Sequence, residues 1–236
     1  MGRLTRAGAL LTGAALCAAG CGSQHADSAS NPISAVTPPS ITAPAITDSA
    51  QLQARLLTVA DLPPGYTRLD DGSPGNGATP QDRSRTEPPE CAKVLAAVGE
   101  QFAGASARGA AGYATADFAS VDIDAASYPD NGAAQAFSAV QDLLRRCTAY
   151  SGTDADGVAV DYRVSALELP RTGDASVAFQ VRTTSEGMTL YSSAALILVG
   201  STVAQLAETA PQPIDSAAFA DLTAKQAQRL RGVPGA

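Results

Sequence analysis

The sequence predicts an α+β fold: a twisted antiparallel sheet of about five or six strands, helices packed on one face, after a disordered N-terminal tether. Three observations predict it. Ala133, Ala136, Phe137, Val140, Leu143, Leu144 and Cys147 recur every three or four residues, which makes one amphipathic helix with Gln135, Ser138, Gln141, Asp142, Arg145 and Arg146 on its polar side. Runs on either side of that helix alternate in polarity as strands do, and the last three are joined by tight turns, so they are antiparallel. The chain begins with Arg3 and Arg6 ahead of small apolar residues from Ala7 to Ala19, the shape of an export signal too short to span a membrane.

Residues 1–20 are therefore read as a signal peptide. They end Ala18-Ala19-Gly20-Cys21, which resembles the lipobox of bacterial lipoproteins, although Ala18 stands where that class usually has leucine. The resemblance implies cleavage before Cys21, diacylation of that cysteine, and attachment to the outer side of the cell membrane. A plain secretory signal is the alternative. Residues 21–47 are rich in Ser, Ala, Pro and Thr without apolar periodicity, and read as a flexible tether with a reach of roughly 25–30 Å.

A binding domain is assigned to residues 48–236. Asp48 and Gln51 have capping-box spacing before Leu52, Leu56 and Val59, and the helix must stop at Pro63-Pro64-Gly65. The stretch from Asp70 to Thr86 reads as an exposed loop, and Pro88-Pro89-Glu90-Cys91 starts a second short helix with Val94, Leu95 and Val98 inward. Tyr113 to Ala126 reads as a strand with Val121 and Ile123 on one face and Asp122 and Asp124 on the other. Asp130 is the expected cap of the central helix. Strands follow at Val158–Leu169, Ser176–Thr184, Met188–Val199 and Thr202–Ala207. A last helix is capped near Asp215, its stripe of Phe219, Leu222, Ala227 and Leu230 interrupted by Thr223 and Gln226.

Composition narrows the chemistry. The chain has 236 residues and a net charge of −7, which becomes −9 once Arg3 and Arg6 leave with the signal; such a body is not built for nucleic acid. The single histidine, His25, lies in the tether, so Ser-His-Asp, Cys-His and His-metal chemistry are excluded from the body. No enzyme activity, cofactor or metal is expected. Asp154-Ala155-Asp156-Gly157 opens like a calcium loop but has Val158 where the fifth-position oxygen belongs, and reads better as a polar turn. Ser192-Ser193 lacks a base. Cys17 leaves with the signal and Cys21 takes lipid, so Cys91 and Cys147 remain; in an exported body they are most simply a disulfide, free redox thiols being the alternative.

Leu56-Leu57, Asp61-Leu62-Pro63-Pro64-Gly65-Tyr66, Pro89-Glu90-Cys91 and the strand leading through Tyr128-Pro129-Asp130 into a helix ending at Cys147 together resemble the PknH-like extracellular sensor domain, over roughly Asp48 to Leu230. That family occurs outside the membrane on actinobacterial kinases and alone in lipoproteins. Three departures are that the kinase version carries a second disulfide, that Trp is absent here, and that this sequence has no kinase domain attached. The resemblance implies an antiparallel sheet with helices around a cleft, and binding of an unidentified extracellular ligand: a small molecule, a lipid or a protein. A carrier or chaperone of lipid-like molecules in the envelope is the second function class. The ligand site is expected where Met188–Val199 is apolar on both alternations. Its second face, Tyr191, Ile197 and Val199, is expected to line a cleft roofed by Asp70–Thr86, with Arg182, Asp122 and Asp124 at the rim. A central strand covered on both sides, with no cleft, is the competing expectation.

Overall fold

The structure, a computed structural model, describes residues 31–69 and 83–232. Cys21, His25 and most of the expected roof loop, residues 70–82, lie outside the described residues. The centre is a single antiparallel sheet of nine strands rather than five or six. In chain order they are β1 (Thr67–Arg68), β2 (Arg85–Glu87), β3 (Ala107–Ala114), β4 (Ser120–Ser127), β5 (Ala149–Thr153), β6 (Ala159–Ala166), β7 (Ala175–Ser185), β8 (Met188–Val199) and β9 (Thr202–Ala210). Across the sheet they run β1-β3-β4-β9-β8-β7-β6-β5-β2. The hairpin expected at Glu186-Gly187 joins β7 to β8, both residues holding positive φ (49° and 81°) as a tight two-residue turn requires.

The helices do not share one face. The central helix α3 (Gly132–Arg146) packs Ala136, Phe137, Val140 and Leu144 against Phe179, Val181, Ala194, Leu196 and Leu198. The C-terminal helix α4 (Ser216–Leu230) and the short α1 (Ser49–Gln53) pack Phe219, Leu222 and Leu52 against Ala195, Ile197, Ala204 and Leu206. Consecutive residues of β8 alternate between these two layers, so the strand is apolar on both sides because both sides are covered. The expectation of helices on one side is overturned, since an apolar stripe says that a helix is covered but not by which face of a sheet.

Local signals hold at most helix starts. Asp48 caps α1 by accepting from the Ala50 N–H at 2.8 Å, and Asp215 caps α4 by accepting from Ala217 and Ala218 at 2.8 and 3.2 Å. Asp130 does not cap α3; it sits at φ 52°, and Asn131 holds the N-cap position without a side-chain cap, its Oδ1 accepting from the Ile41 N–H instead. The polar interruptions of the α4 stripe are buried and occupied. Gln226 accepts from the Leu57 N–H at 3.0 Å and donates to the Arg55 carbonyl at 3.1 Å, which ties α4 to the turn after α1. Gln53 does comparable work at the sheet edge, exchanging two hydrogen bonds with the Ala110 backbone and closing a β3 edge that would otherwise invite another strand. At the opposite edge a Cβ on Gly152 would lie 2.1 Å from the Arg85 carbonyl oxygen, so β2 can approach β5 only over a glycine.

Residues 31–47 are not a free tether. Ile33 is buried in the α3 core. Gln141, on the expected polar side of α3, binds both backbone groups of Val36 with its amide. The Ile41 N–H donates to Asn131 Oδ1, the Ile46 N–H to Ser127 Oγ, Ser201 Oγ to the Pro44 carbonyl, and the Ala166 N–H to the Asn31 carbonyl. Residues 31–47 therefore pack with the body that was expected to begin at Asp48.

Candidate functional site

The strand registers decide where the expected rim residues stand. Asp122 pairs with Ala207 and Asp124 with Gln205, on the α3 face of the sheet. Arg182 pairs with Tyr191, and Gln180 with Ser193, on the α4 face. The acidic pair and Arg182 are thus on opposite sides of the sheet and form no common rim. Ile197 is fully buried and Val199 partly buried in the α4 layer. Tyr191 lies beyond that cover, its ring 5.7 Å from the Arg182 guanidinium carbon, a cation–π contact on the open part of the same face. None of the described grooves touches these three residues. At Ile197 and Val199 the strand is covered by the α4 layer, Tyr191 stands outside that cover, and most of the expected roof, residues 70–82, lies outside the described residues.

Asp122 is exposed and accepts from Ser120 Oγ at 3.1 Å. Asp124 is drawn under α2 (Val98–Gln101), where Oδ1 accepts from the Val98 N–H at 2.6 Å. Burial pushes its carboxyl up to about 7, against the pull of that hydrogen bond and with help from Glu100 and Asp122. Ser192 exchanges a hydroxyl hydrogen bond with Thr209 at 2.8 Å, and Ser193 is buried, so both fill the strand. Among the described residues no group of three His, Cys, Asp or Glu side chains could hold a metal.

The Cys91–Cys147 pair is a disulfide with Cα atoms 5.6 Å apart, joining the short turn Pro89–Lys93 to the end of α3. Beside it an open groove of about 740 Å³ is lined by Arg85, Thr86, Glu87, Pro89, Ser151 and Gly152. A smaller one of about 270 Å³ lies against Arg83, Arg85 and the Asp154–Gly157 turn. That turn holds itself: Asp154 Oδ1 accepts from the Asp156 and Val158 N–H groups, which spends the carboxylate on the backbone as a polar turn does.

The sheet has two unlike ends. At one end β4, β6 and β8 finish, β5, β7 and β9 begin, and residues 31–46 are bonded to Ala166, Ser201 and Ser127. At the other end lie the β3–β4 and β7–β8 turns, with Phe118 84% and Met188 70% exposed, beside the Asp154–Gly157 turn. Phe118 stands in the turn between β3 and β4 with a positive φ of 67° and an exposed ring. Sequence reasoning passed over it, since Tyr113–Ala126 was expected to be one strand; the signal was a lone aromatic in Thr115-Ala116-Asp117-Phe118, a polar break between two alternating runs.

The fold and its surfaces define a class: an antiparallel sheet sandwiched between helices, with open grooves at its edge and loops at one end. No family model matches the chain, and no curated protein does. Among solved structures it is similar to the extracellular domain of PknH from Mycobacterium tuberculosis, with a TM-score of 0.54 and 13% identity, over 78% of this chain and 97% of that one. It is also similar to an uncharacterised Mycobacterium smegmatis protein, the Rv0999 ortholog, at a TM-score of 0.40 and 14% identity, over 80% of this chain and 98% of that one. The first of these similarities establishes a fold shared with that extracellular domain.

Proposed function

We propose that the chain is a lipoprotein of the outer side of the cell membrane whose body is a non-catalytic binding module. In this reading it is anchored at Cys21, stands on its chain-entry end, and offers the opposite loop end to a partner. One observation carries it: residues 31–46 are pinned to one end of the sheet, while the exposed Phe118 and Met188 turns project at the other. Nine residues separate Cys21 from Asn31, a stretch of chain that can span at most roughly 35 Å, so the entry end stays near the bilayer. The disulfide suits an oxidising exterior, and the fold shared with the PknH extracellular domain suits the same place.

The carrier reading receives no support from the layers under the helices, where Leu196 and Ile197 are fully buried in packed cores. Cys21→Ala is expected to move the protein from the membrane fraction to the medium or to leave it unprocessed, and intact-mass analysis of the wild type to find acyl chains on a chain that begins at Cys21. A mature wild type that begins elsewhere and partitions into water would end the anchored reading.

A further inference from the structure

Beneath α2 two buried amide oxygens have no donor among the described residues. Gln101 Nε2 and Gln205 Nε2 both donate to the carbonyl of Ala96, at 2.6 and 3.3 Å. A carbonyl only accepts, so neither amide can be turned round, and Gln101 Oε1 and Gln205 Oε1 are left buried without partners. Gln205 is 2% exposed and stands directly across from Asp124 in the β4–β9 register, on the same face. Buried acceptors without a donor are rare, because each forfeits its hydration for nothing.

The surroundings do not fill the gap. Glu100 on α2 and Asp122 on β4 are further carboxylates. Arg108 of β3 is directed at the Gly99 carbonyl, 3.4 Å away, and the Tyr128 hydroxyl donates to the Phe102 carbonyl at 2.9 Å. None of the described grooves is lined by Asp124, Gln101 or Gln205. A calcium-like cation asks for roughly six to eight oxygens, more than one carboxylate and two amides provide.

The geometry points to a proton: Asp124 is held as the neutral acid, Oδ1 accepting from Val98 and the protonated oxygen donating to the bare amide oxygen of Gln205, so that α2 closes over an uncharged acid, a latch that lifts when ionisation sets a carboxylate against that amide oxygen and the charge draws in water. The direction follows from the raised carboxyl. Its folded value of about 7 lies above the unfolded aspartate value of about 3.9, so the folded state binds the proton more tightly. The latch is complete below the unfolded value and is lost as the pH rises through about 7. In an extracytoplasmic domain this would make the segment around α2 answer to external pH.

Hydrogen exchange of the full chain between pH about 5 and about 8.5, corrected for intrinsic rates, tests it. Protection of the Val98–Phe102 amides is expected to fall about a hundredfold across that range, most of it before pH about 7, while β8 stays protected. Asp124→Asn keeps an acceptor for Val98 and carries an N–H donor at every pH, so it should hold α2 closed with a flat profile; Asp124→Ala should leave it open throughout. Two results would overturn the latch: a wild-type profile as flat as that of Asp124→Asn with the Asp124 carboxyl titrating near 4, or protection that follows added calcium instead of pH.

Discussion

Replacing Cys91 or Cys147 by serine should lower the unfolding free energy by about 4 kcal/mol and the melting temperature by roughly 10 °C. The two cysteines are 56 residues apart, so the bond closes a long loop in the unfolded chain and removes much of its freedom. Both sulfurs are buried beside Val94, Val98 and Leu144, which adds a cost for placing a serine hydroxyl there. The bond also holds the groove beside Pro89, so the β2–β5 edge should fray first, read as early proteolysis near Arg85. A non-reducing peptide map should find the cross-link, and two alkylatable thiols in the folded wild type would dispose of this account.

The second large effect concerns β8. Leu196→Ala and Ile197→Ala should each cost about 3 kcal/mol in denaturant unfolding, although the residues are neighbours that face opposite ways. Each truncation leaves a void in a separate core, one under α3 and one under α4, so the double variant should be close to additive. Were Ile197 the floor of an open cleft, its truncation would cost well under about 1 kcal/mol, since solvent or a ligand would fill the space.

Much of this architecture was legible because periodicity and caps are local. The α3 stripe from Ala133 to Cys147, the β7–β8 turn at Glu186-Gly187 and the double apolarity of Met188–Val199 were all readable from neighbouring residues. β3 and β5 were not: Ala107–Ala114 and Ala149–Thr153 are built largely of Ala, Gly and Ser, whose inward and outward positions look alike. β1 and β2 are two and three residues long and exist only because a longer strand lies beside each. Residues 31–47 escaped notice because an extended segment laid over a surface needs no period. Ile33, Val36, Ile41 and Ile46 touch the body at irregular intervals, and the matching signal sat on α3, in Gln141. The candidate rim failed for a different reason. Alternation within β4 shows that Asp122 and Asp124 share a face, and alternation within β7 shows the same of Gln180 and Arg182. Whether those two faces coincide depends on every register between the strands, which no local pattern encodes.

The orientation of the body on the membrane is the claim on which the proposed function rests, and one measurement reaches it directly. The acylated protein, placed in vesicles carrying a small fraction of lipid with a paramagnetic chelate at its headgroup, should show strong broadening of the amides of Asn31, Ala166 and Ser201. The amides of Phe118 and Gly187, at the far end of the sheet, should stay sharp. Broadening of the Phe118 and Gly187 turns, or equal broadening at both ends, would contradict a module that stands on its entry end and presents its loops outward.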